Sequence, residues 1–497
     1  FFQIENKVRV HELEMAKQKV KDKLKWRIKH IEEIISKARA YYKKPSGKAE
    51  KEWKDLKQSI KKESRTSLKS QTNIRYKLAN LHEHWPVFTF IISFLQLVAL
   101  VVLCGLGGLT SIGLEPQLQL KSGVVTFHGI ETVHTWSIPN MWIGPSQRQL
   151  IALGAFFAPC VREDYGIQLI AAKSNYSQSD PIGCCEMATR NSAATTTEYE
   201  CKELSHGAGT WNSQYVCSAR PTGQNSILHN LKPCCIDIKG TCHLLTHAHC
   251  VFLGGVFHKS GKENCRQVNC LKEICKPGIV ESDKDRPWLA VNPAQWWRLP
   301  LSLLYHQGIL HILIVLTVQL ALIRQIEKTI GWLRVLIIYC VGGVAGLLMA
   351  SILTPYSPHV GATGSLYSMF GLLTVELVHF WRVIKHPLRE GLKLLVLLVL
   401  SLLSGTVPQV DIYSILTGLV IGVLSACVLL PYIAISKAHT LCRVMLITFC
   451  SCTVGIAYFV ILFSFYKVQT FESCSVCKLL NCVPYSSTIC TDTDYEH

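Results

Sequence analysis

Two apolar runs stand back to back in this chain: LRVLIIYCVGGVAGLLMASIL at 333–353 and, after the turn TPYSPHV at 354–360, GATGSLYSMFGLLTVELVHFW at 361–381. A helix needs about 20 mostly apolar residues to cross a hydrocarbon core of about 30 Å, since each residue rises ~1.5 Å. Both runs have that length, and five more approach or exceed it: 87–109, 300–323, 392–407, 411–431 and 442–466. The run at 392–407 is short, and 361–381 contains Glu376 and His379. Glycines recur within the runs, as in Gly342-Gly343, Gly346 and Gly418-Leu-Val-Ile-Gly422. Small residues four apart let helix backbones approach closely. The pattern predicts an all-α polytopic membrane protein of seven spans.

Composition agrees. Of 497 residues, 49% are hydrophobic and only 17% charged, yet the net charge is +17. An average soluble protein has about 25% charged residues, so an ordinary soluble enzyme is excluded. A disordered chain, which needs far fewer apolar residues, is excluded too. The positive charge is concentrated: residues 1–86 hold 23 Lys+Arg against 11 Asp+Glu and no cysteine. Val8, Leu13, Val20, Leu24, Ile28, Ile31 and Ile35 recur at roughly helical spacing, with lysines on the other faces. This basic region is expected in the cytosol beside anionic lipid, each basic residue near the surface contributing about 1 kcal/mol. No aromatic-interleaved or zinc-type module accompanies it, so nucleic acid is not an expected partner. The chain opens on Phe1 and shows no secretory signal, so 1–86 is expected to continue a longer N-terminal region.

Basic loops orient the spans. Arg324 and Lys328 fall in one turn, Arg382, Lys385, Arg389 and Lys393 in another, and Lys437 and Arg443 in a third. The alternate turns, 354–360 and 404–410, contain no Lys or Arg. With the N-terminus in the cytosol, every loop falls on its expected side and the C-terminus lies across the membrane. Segment 110–298 and the tail from 467 then lie in an oxidising compartment, where disulfides persist. The segment holds twelve cysteines: Cys160, Cys184, Cys185, Cys201, Cys217, Cys234, Cys235, Cys242, Cys250, Cys265, Cys270 and Cys275. The tail adds Cys474, Cys477, Cys482 and Cys490. All sixteen are disulfide candidates. Metal binding by Cys474-Ser-Val-Cys477 is the competing reading, and connectivity stays open. The pairs Cys184-Cys185 and Cys234-Cys235 suggest two similarly stapled subregions within an irregular domain of short strands and loops. Asn175-Tyr-Ser177 is a glycosylation sequon on the same side.

The expected organisation is a basic cytosolic region (1–86), a first membrane helix (87–109), a cysteine-rich luminal domain (110–298), a helical membrane core (299–466) and a luminal tail (467–497). Polar groups inside a membrane usually face the bundle interior. His306 and His311 are five residues apart, about 140° around a helix, so they do not share a face as zinc ligands at i,i+4 would. No metal or cofactor is expected.

These residues resemble a known family. Trp297-Arg298, His306-x4-His311, Glu327-Lys328 with Gly331, and Gly361-Ala-Thr-Gly364 are similar to a rhomboid intramembrane serine protease core. The resemblance implies a six-helix core plus one extra N-terminal membrane helix. Its nucleophile is the serine of Gly-x-Ser-Gly, its base the histidine of His-x-x-Gly, and an asparagine helps hold the oxyanion. Laid onto this sequence, those patterns place Thr363 at the serine, Ile415 at the histidine and Val315 at the asparagine. His311 is retained. Isoleucine cannot accept a proton, a threonine nucleophile usually relies on its own terminal amine, and losing one oxyanion donor costs on the order of 100–1000-fold. His359, four residues before Thr363, is the one nearby substitute base.

Trp142-Ile-Gly-Pro-Ser146, Phe157-Ala-Pro-Cys160-Val-Arg-Glu-Asp164, Pro233-Cys-Cys235-Ile, Asn269-Cys270 and Leu430-Pro431-Tyr432-Ile433 narrow the resemblance to inactive rhomboids of the iRhom class. It covers about 80–497. Ala362 stands where that class usually has proline. The resemblance implies a pseudoprotease adaptor of the endoplasmic reticulum membrane that binds membrane-anchored clients and controls their exit, maturation or degradation. With a client, the Golgi and the cell surface are further implied locations. Implied clients are the TNF-converting metalloprotease (TACE) and EGF-receptor ligands. The alternatives are an active protease using Thr363, and a seven-helix transporter or receptor, for which no inverted repeat is seen.

Overall fold

The computed structural model describes residues 84–163, 181–187, 191–219, 227–259, 265–275, 295–381, 386–405, 410–430 and 437–467. The basic region before residue 84, Asn175 and the four tail cysteines lie outside the described residues. Helix α1 (Val87–Gly107) leads into a two-stranded antiparallel ribbon, β1 (Gln117–Thr126) and β2 (Gly129–Ser137). After the short helix α2 (Gln147–Ala152), the chain enters a cysteine domain of two small sheets.

The two sheets are variations of one unit. The first pairs β3 (Gly183–Met187) antiparallel to both β4 (Ser192–Thr196) and β5 (Thr210–Asn212), with helix α3 (Glu198–Leu204) after β4. A short strand, β6 (Ile227–Leu228), adds parallel to β4. The second pairs β7 (Lys232–Ile236) antiparallel to β8 (Thr241–Leu245) and β9 (Val256–Phe257), with helix α4 (His247–Phe252) after β8. One constant sequence offset relates Cys185, Ala194, Thr197 and Cys201 to Cys234, His243, Thr246 and Cys250. Cys185 lies opposite Ala194, and Cys234 opposite His243. Thr197 and Thr246 cap their helices by accepting from Glu200 N and His249 N, satisfying donors that a helix start leaves open. Cys201 and Cys250 bond back to Cys185 and Cys234, each across 16 residues. The expected irregular domain is therefore a duplicated β-β-α-β unit, and it carries the two stapled subregions that the adjacent cysteine pairs suggested.

The remaining bonds are Cys184–Cys217, Cys235–Cys270, Cys242–Cys265 and Cys160–Cys275. All twelve candidate cysteines of the segment are thus paired. Among the described residues, the cysteines outside these bonds lie on helices of the bundle, at Cys104, Cys340, Cys427, Cys442, Cys450 and Cys452.

Past the cysteine domain come α5 (Ile309–Ile330), α6 (Trp332–Leu353), α7 (Thr363–His379), α8 (Pro387–Ser404), α9 (Ile412–Leu429) and α10 (Lys437–Lys467). Among the described residues, five helices are long and apolar enough to cross a membrane: α1, α5, α6, α9 and Leu441–Lys467 of α10. α7 has 17 residues, and α8 carries Arg389, Glu390 and Lys393 in its first two turns. These are the two elements whose sequence was short or charged.

Three contacts explain the bundle. Gly418 of α9 faces Gly364 of α7 so closely that an added Cβ would stand 2.2 Å from the Gly364 carbonyl oxygen; one turn on, a Cβ at Gly422 would stand 2.3 Å from Ser368 Cα. This is the close approach that the spacing predicted. The second contact packs α1, the expected extra N-terminal helix, into the bundle. Glu327, fully buried in α5, accepts from Phe88 N and Thr89 N at 2.8 Å each and from Thr89 Oγ1 at 2.6 Å. Those donors belong to the first turn of α1, whose positive dipole end favours a carboxylate. Further along, Gln319 Nε2 donates to Gln96 Oε1 (2.8 Å) and Ser93 Oγ (3.1 Å), and Tyr339 OH donates to Gln319 Oε1 (2.9 Å). A helix so tied by buried polar groups cannot be peripheral. The more exposed helix is α10, which presents Leu441, Val444, Met445, Phe449, Ile456, Phe459 and Phe463 outward.

Arg298 makes the third contact, between bundle and cysteine domain. It is fully buried and donates to Gln295 Oε1 (2.6 Å) and to the carbonyls of Ile151 (2.6 Å), Ala155 (2.9 Å) and Cys275 (2.8 Å). Burial lowers its pKa to about 10, so it stays charged at neutral pH. Nearby, Arg162 donates to the Phe465 carbonyl at the end of α10 and lies 4.9 Å from that ring.

Glu327→Ala should destabilise the bundle by about 1–3 kcal/mol, the cost of leaving buried donors unpaired. Unfolding in detergent against wild type measures this. Gly418→Ala should cost about as much through overpacking. A wild-type midpoint for both variants would refute these contacts.

Candidate functional site

The candidate residues converge at one end of the bundle. Gly361, at φ +115°, turns the chain into α7, so that Thr363 becomes the first helical residue. That φ is one most side chains cannot adopt, and there is no room for one: a Cβ would stand 2.8 Å from His311 Cε1. The same point lies 3.4 Å from His311 Nε2 and 3.6 Å from Thr363 Oγ1. His311 and Thr363 therefore flank one spot. The His311 ring packs 5.1 Å from Trp142 and, edge-on, 5.1 Å from His306. His306 Nδ1 lies 3.1 Å from the Leu304 carbonyl, which makes Nδ1 the protonated nitrogen and leaves Nε2 an acceptor.

Val315 and Ile415 are both buried, Val315 among Ile323, Ile326 and Ala362 and Ile415 on α9 three residues before Gly418. The Gly364–Gly418 contact sets Thr363 and Ile415 at the same end of their helices. Neither apolar side chain offers a proton acceptor. Among the described residues, the Thr363 hydroxyl has no hydrogen-bond partner.

His359 is oriented away from catalysis. Its ring is fully buried, with Nδ1 2.8 Å from Asp411 Oδ2 and Nε2 2.9 Å from the Thr354 carbonyl. Both nitrogens face acceptors, so the geometry fits a doubly protonated imidazolium with no lone pair to offer Thr363. The His359 N–H also donates to the Phe156 carbonyl at 2.8 Å, which ties the 354–361 loop to the cysteine domain. Asp411 stands at the N-cap position of α9, where its carboxylate turns to His359 instead of capping the helix. Sequence reading missed this pair because 52 residues separate its members; an aspartate at the mouth of an apolar run was the available signal.

Burial alone would lower the His359 pKa, but the Asp411 carboxylate and the two hydrogen bonds outweigh it and raise the pKa above the ordinary histidine value. A folded-state pKa raised above the unfolded one contributes stability fully below the unfolded value, and this is lost as pH rises through the folded value. The stability difference between wild type and His359→Gln should therefore be larger at about pH 5.5 than at about pH 9. Thermal unfolding in detergent measures it, and a gap constant with pH would refute the charged pair.

Comparison with known proteins bears on the same region and beyond it. A rhomboid domain model matches residues 293–432. Inactive rhomboid protein 1 of Danio rerio is 28% identical over 474 residues, covering 85% of this chain and 53% of that protein. The Rattus norvegicus protein of that name is 29% identical over 472 residues, covering 84% and 53%. Inactive rhomboid protein 2 of Homo sapiens is 28% identical over 415 residues, covering 73% and 47%. The chain thus spans about half the length of the curated relatives it matches. The domain match falls on the helical bundle and the similarity runs on through the duplicated cysteine units, which together support assignment of the chain to the inactive rhomboid (iRhom) family.

Proposed function

We propose that this chain is a catalytically inactive rhomboid-like adaptor that binds membrane-anchored clients and regulates their exit from the endoplasmic reticulum, trafficking, maturation or degradation. The observation that carries this reading is the missing base. Thr363 stands where active rhomboids have serine, Ile415 where they have the histidine base and Val315 where they have the oxyanion asparagine. The only histidine near enough in sequence to replace the base, His359, is held at both nitrogens by Asp411 and Thr354. A hydroxyl without an acceptor for its proton does not become a nucleophile. What remains is a bundle whose glycine and hydroxyl groups favour close packing with another helix.

In this reading the chain has seven spans, with the basic N-terminus cytosolic against anionic lipid and the cysteine domain, Asn175 and C-terminus luminal. The paired cysteines and the distribution of basic loops support that orientation. The clients by resemblance are a TACE-type metalloprotease and EGF-like ligands. Recognition of a client helix needs no chemical step, so Thr363 and His311 are packing groups.

A client should co-purify with the chain in detergent, and Thr363→Ala should retain it. Loss of binding in that variant would overturn the passive role of Thr363. Incubation with a model single-pass substrate in liposomes should yield no cleavage. Proteolysis abolished by Thr363→Ala would establish the alternative, an active threonine-dependent protease. Glycosidase treatment should shift wild type but not Asn175→Gln; an unshifted wild type would reverse the proposed orientation.

A further inference from the structure

The β1–β2 ribbon has an apolar face left uncovered. Side chains alternate along a strand, and the register places Leu118 opposite Trp136 and Leu120 opposite His134 on one face. Gln117, Gln119 and Lys121 lie on the other, with Ser137, Thr135 and Val133. The polar face turns to the cysteine domain, where Lys121 Nζ lies 6.0 Å from the Phe252 ring and Thr246 Oγ1 donates to the Val125 carbonyl. The apolar face turns outward: Leu118 is 47% exposed, Leu120 66%, Trp136 39% and Ile138 50%. This inverts the arrangement of a half-buried strand in a soluble domain, and a two-stranded ribbon is marginally stable alone in water.

Location identifies what covers it. The ribbon is rooted where α1 ends. Asn140 N donates to the Ser111 carbonyl at 2.9 Å, and a Cβ at Gly113 would stand 3.2 Å from Pro139. Between Gly107 and the ribbon, Leu109, Ile112 and Leu114 are exposed. Apolar surface therefore continues from the outward side of α1, where Val101 and Leu106 are exposed, onto the ribbon. Indole rings favour the membrane–water boundary, and an amphipathic element lies there with its apolar face in the acyl region. The outward face holds Thr132 and His134 but no Lys, Arg, Asp or Glu, so it has no fixed charge with which to select anionic headgroups.

We propose that the ribbon is a lipid-contact element: its face of Leu118, Leu120, Trp136 and Ile138 rests in the bilayer leaflet on the cysteine domain's side, against neutral phospholipid. It thereby sets the height and tilt of the cysteine domain over the membrane.

The full chain, reconstituted in phosphatidylcholine vesicles that include a phospholipid with a diazirine near the acyl carbonyl, is photolysed, digested and mapped by mass spectrometry. Adducts are expected within 117–138 as well as on α1. The triple variant Leu118→Gln, Leu120→Gln, Trp136→Gln should lose ribbon adducts several-fold and keep those on α1, with an unchanged non-reducing disulfide map. Should that variant misfold, the wild-type map decides alone. A labelled α1 beside an unlabelled ribbon overturns the proposal. So does a photoreactive residue at Leu120 that captures protein and not lipid in native membranes, since the face would then be a protein-docking surface.

Discussion

The architecture depends on a single buried cation. Arg298 sits in a cage of oxygen acceptors from Gln295, Ile151, Ala155 and Cys275. An uncompensated guanidinium inside a protein is strongly unfavourable, so the charge is tolerable only while all these acceptors converge on it. Two of the acceptors flank the loop that leaves α2, and a third is a cysteine at the far end of the disulfide domain. The helix that begins at Arg298 opens the bundle. Loop, disulfide domain and bundle are thereby fixed to one another by the geometry of one side chain. Arg162 and Phe465 hold the last helix to the same loop.

Within the bundle, the same economy of polar contacts produces a rigid but chemically idle centre. Glu327, Gln96, Gln319 and Tyr339 are saturated with partners on other helices. His359 and Asp411 saturate each other. Catalysis by a hydroxyl requires the opposite, an acceptor held close to the nucleophile and left free for its proton. Ile415 leaves no acceptor at the position where a rhomboid base would stand, in keeping with the inactive rhomboids to which the chain is similar.

Much of this was legible in the sequence, and what was not shares one cause. The glycine spacing at Gly418 and Gly422 announced a close helix contact because small residues four apart on one face have little other use in a membrane. The twelve cysteines announced disulfides through number and location. Their pairing was hidden, since adjacent cysteines in one strand point to opposite faces and spacing does not say which partner each face meets. The place of α1 was hidden as well: its anchor, Glu327, lies 238 residues from Thr89. A span count from apolar length was least secure where charge interrupts the run, at Glu376 in α7 and at Arg389, Glu390 and Lys393 in α8. The duplication of the cysteine domain showed in sequence only as the two adjacent cysteine pairs, because outside the cysteines and the capping threonines the two units share shape and little else.

That duplication also grades the disulfides by the cost of closing them. Cys185–Cys201 and Cys234–Cys250 each close a loop of 16 residues, the kind of closure with the lowest entropic cost, so each unit can lock as soon as it emerges. Cys160–Cys275 spans 115 residues and encloses both units; its closure carries the larger entropic cost unless the inner bonds have already shortened the loop. The carbonyl of Cys275 is also one wall of the Arg298 cage. Closure of the disulfide domain and its attachment to the helices are thus linked through one residue, Cys275.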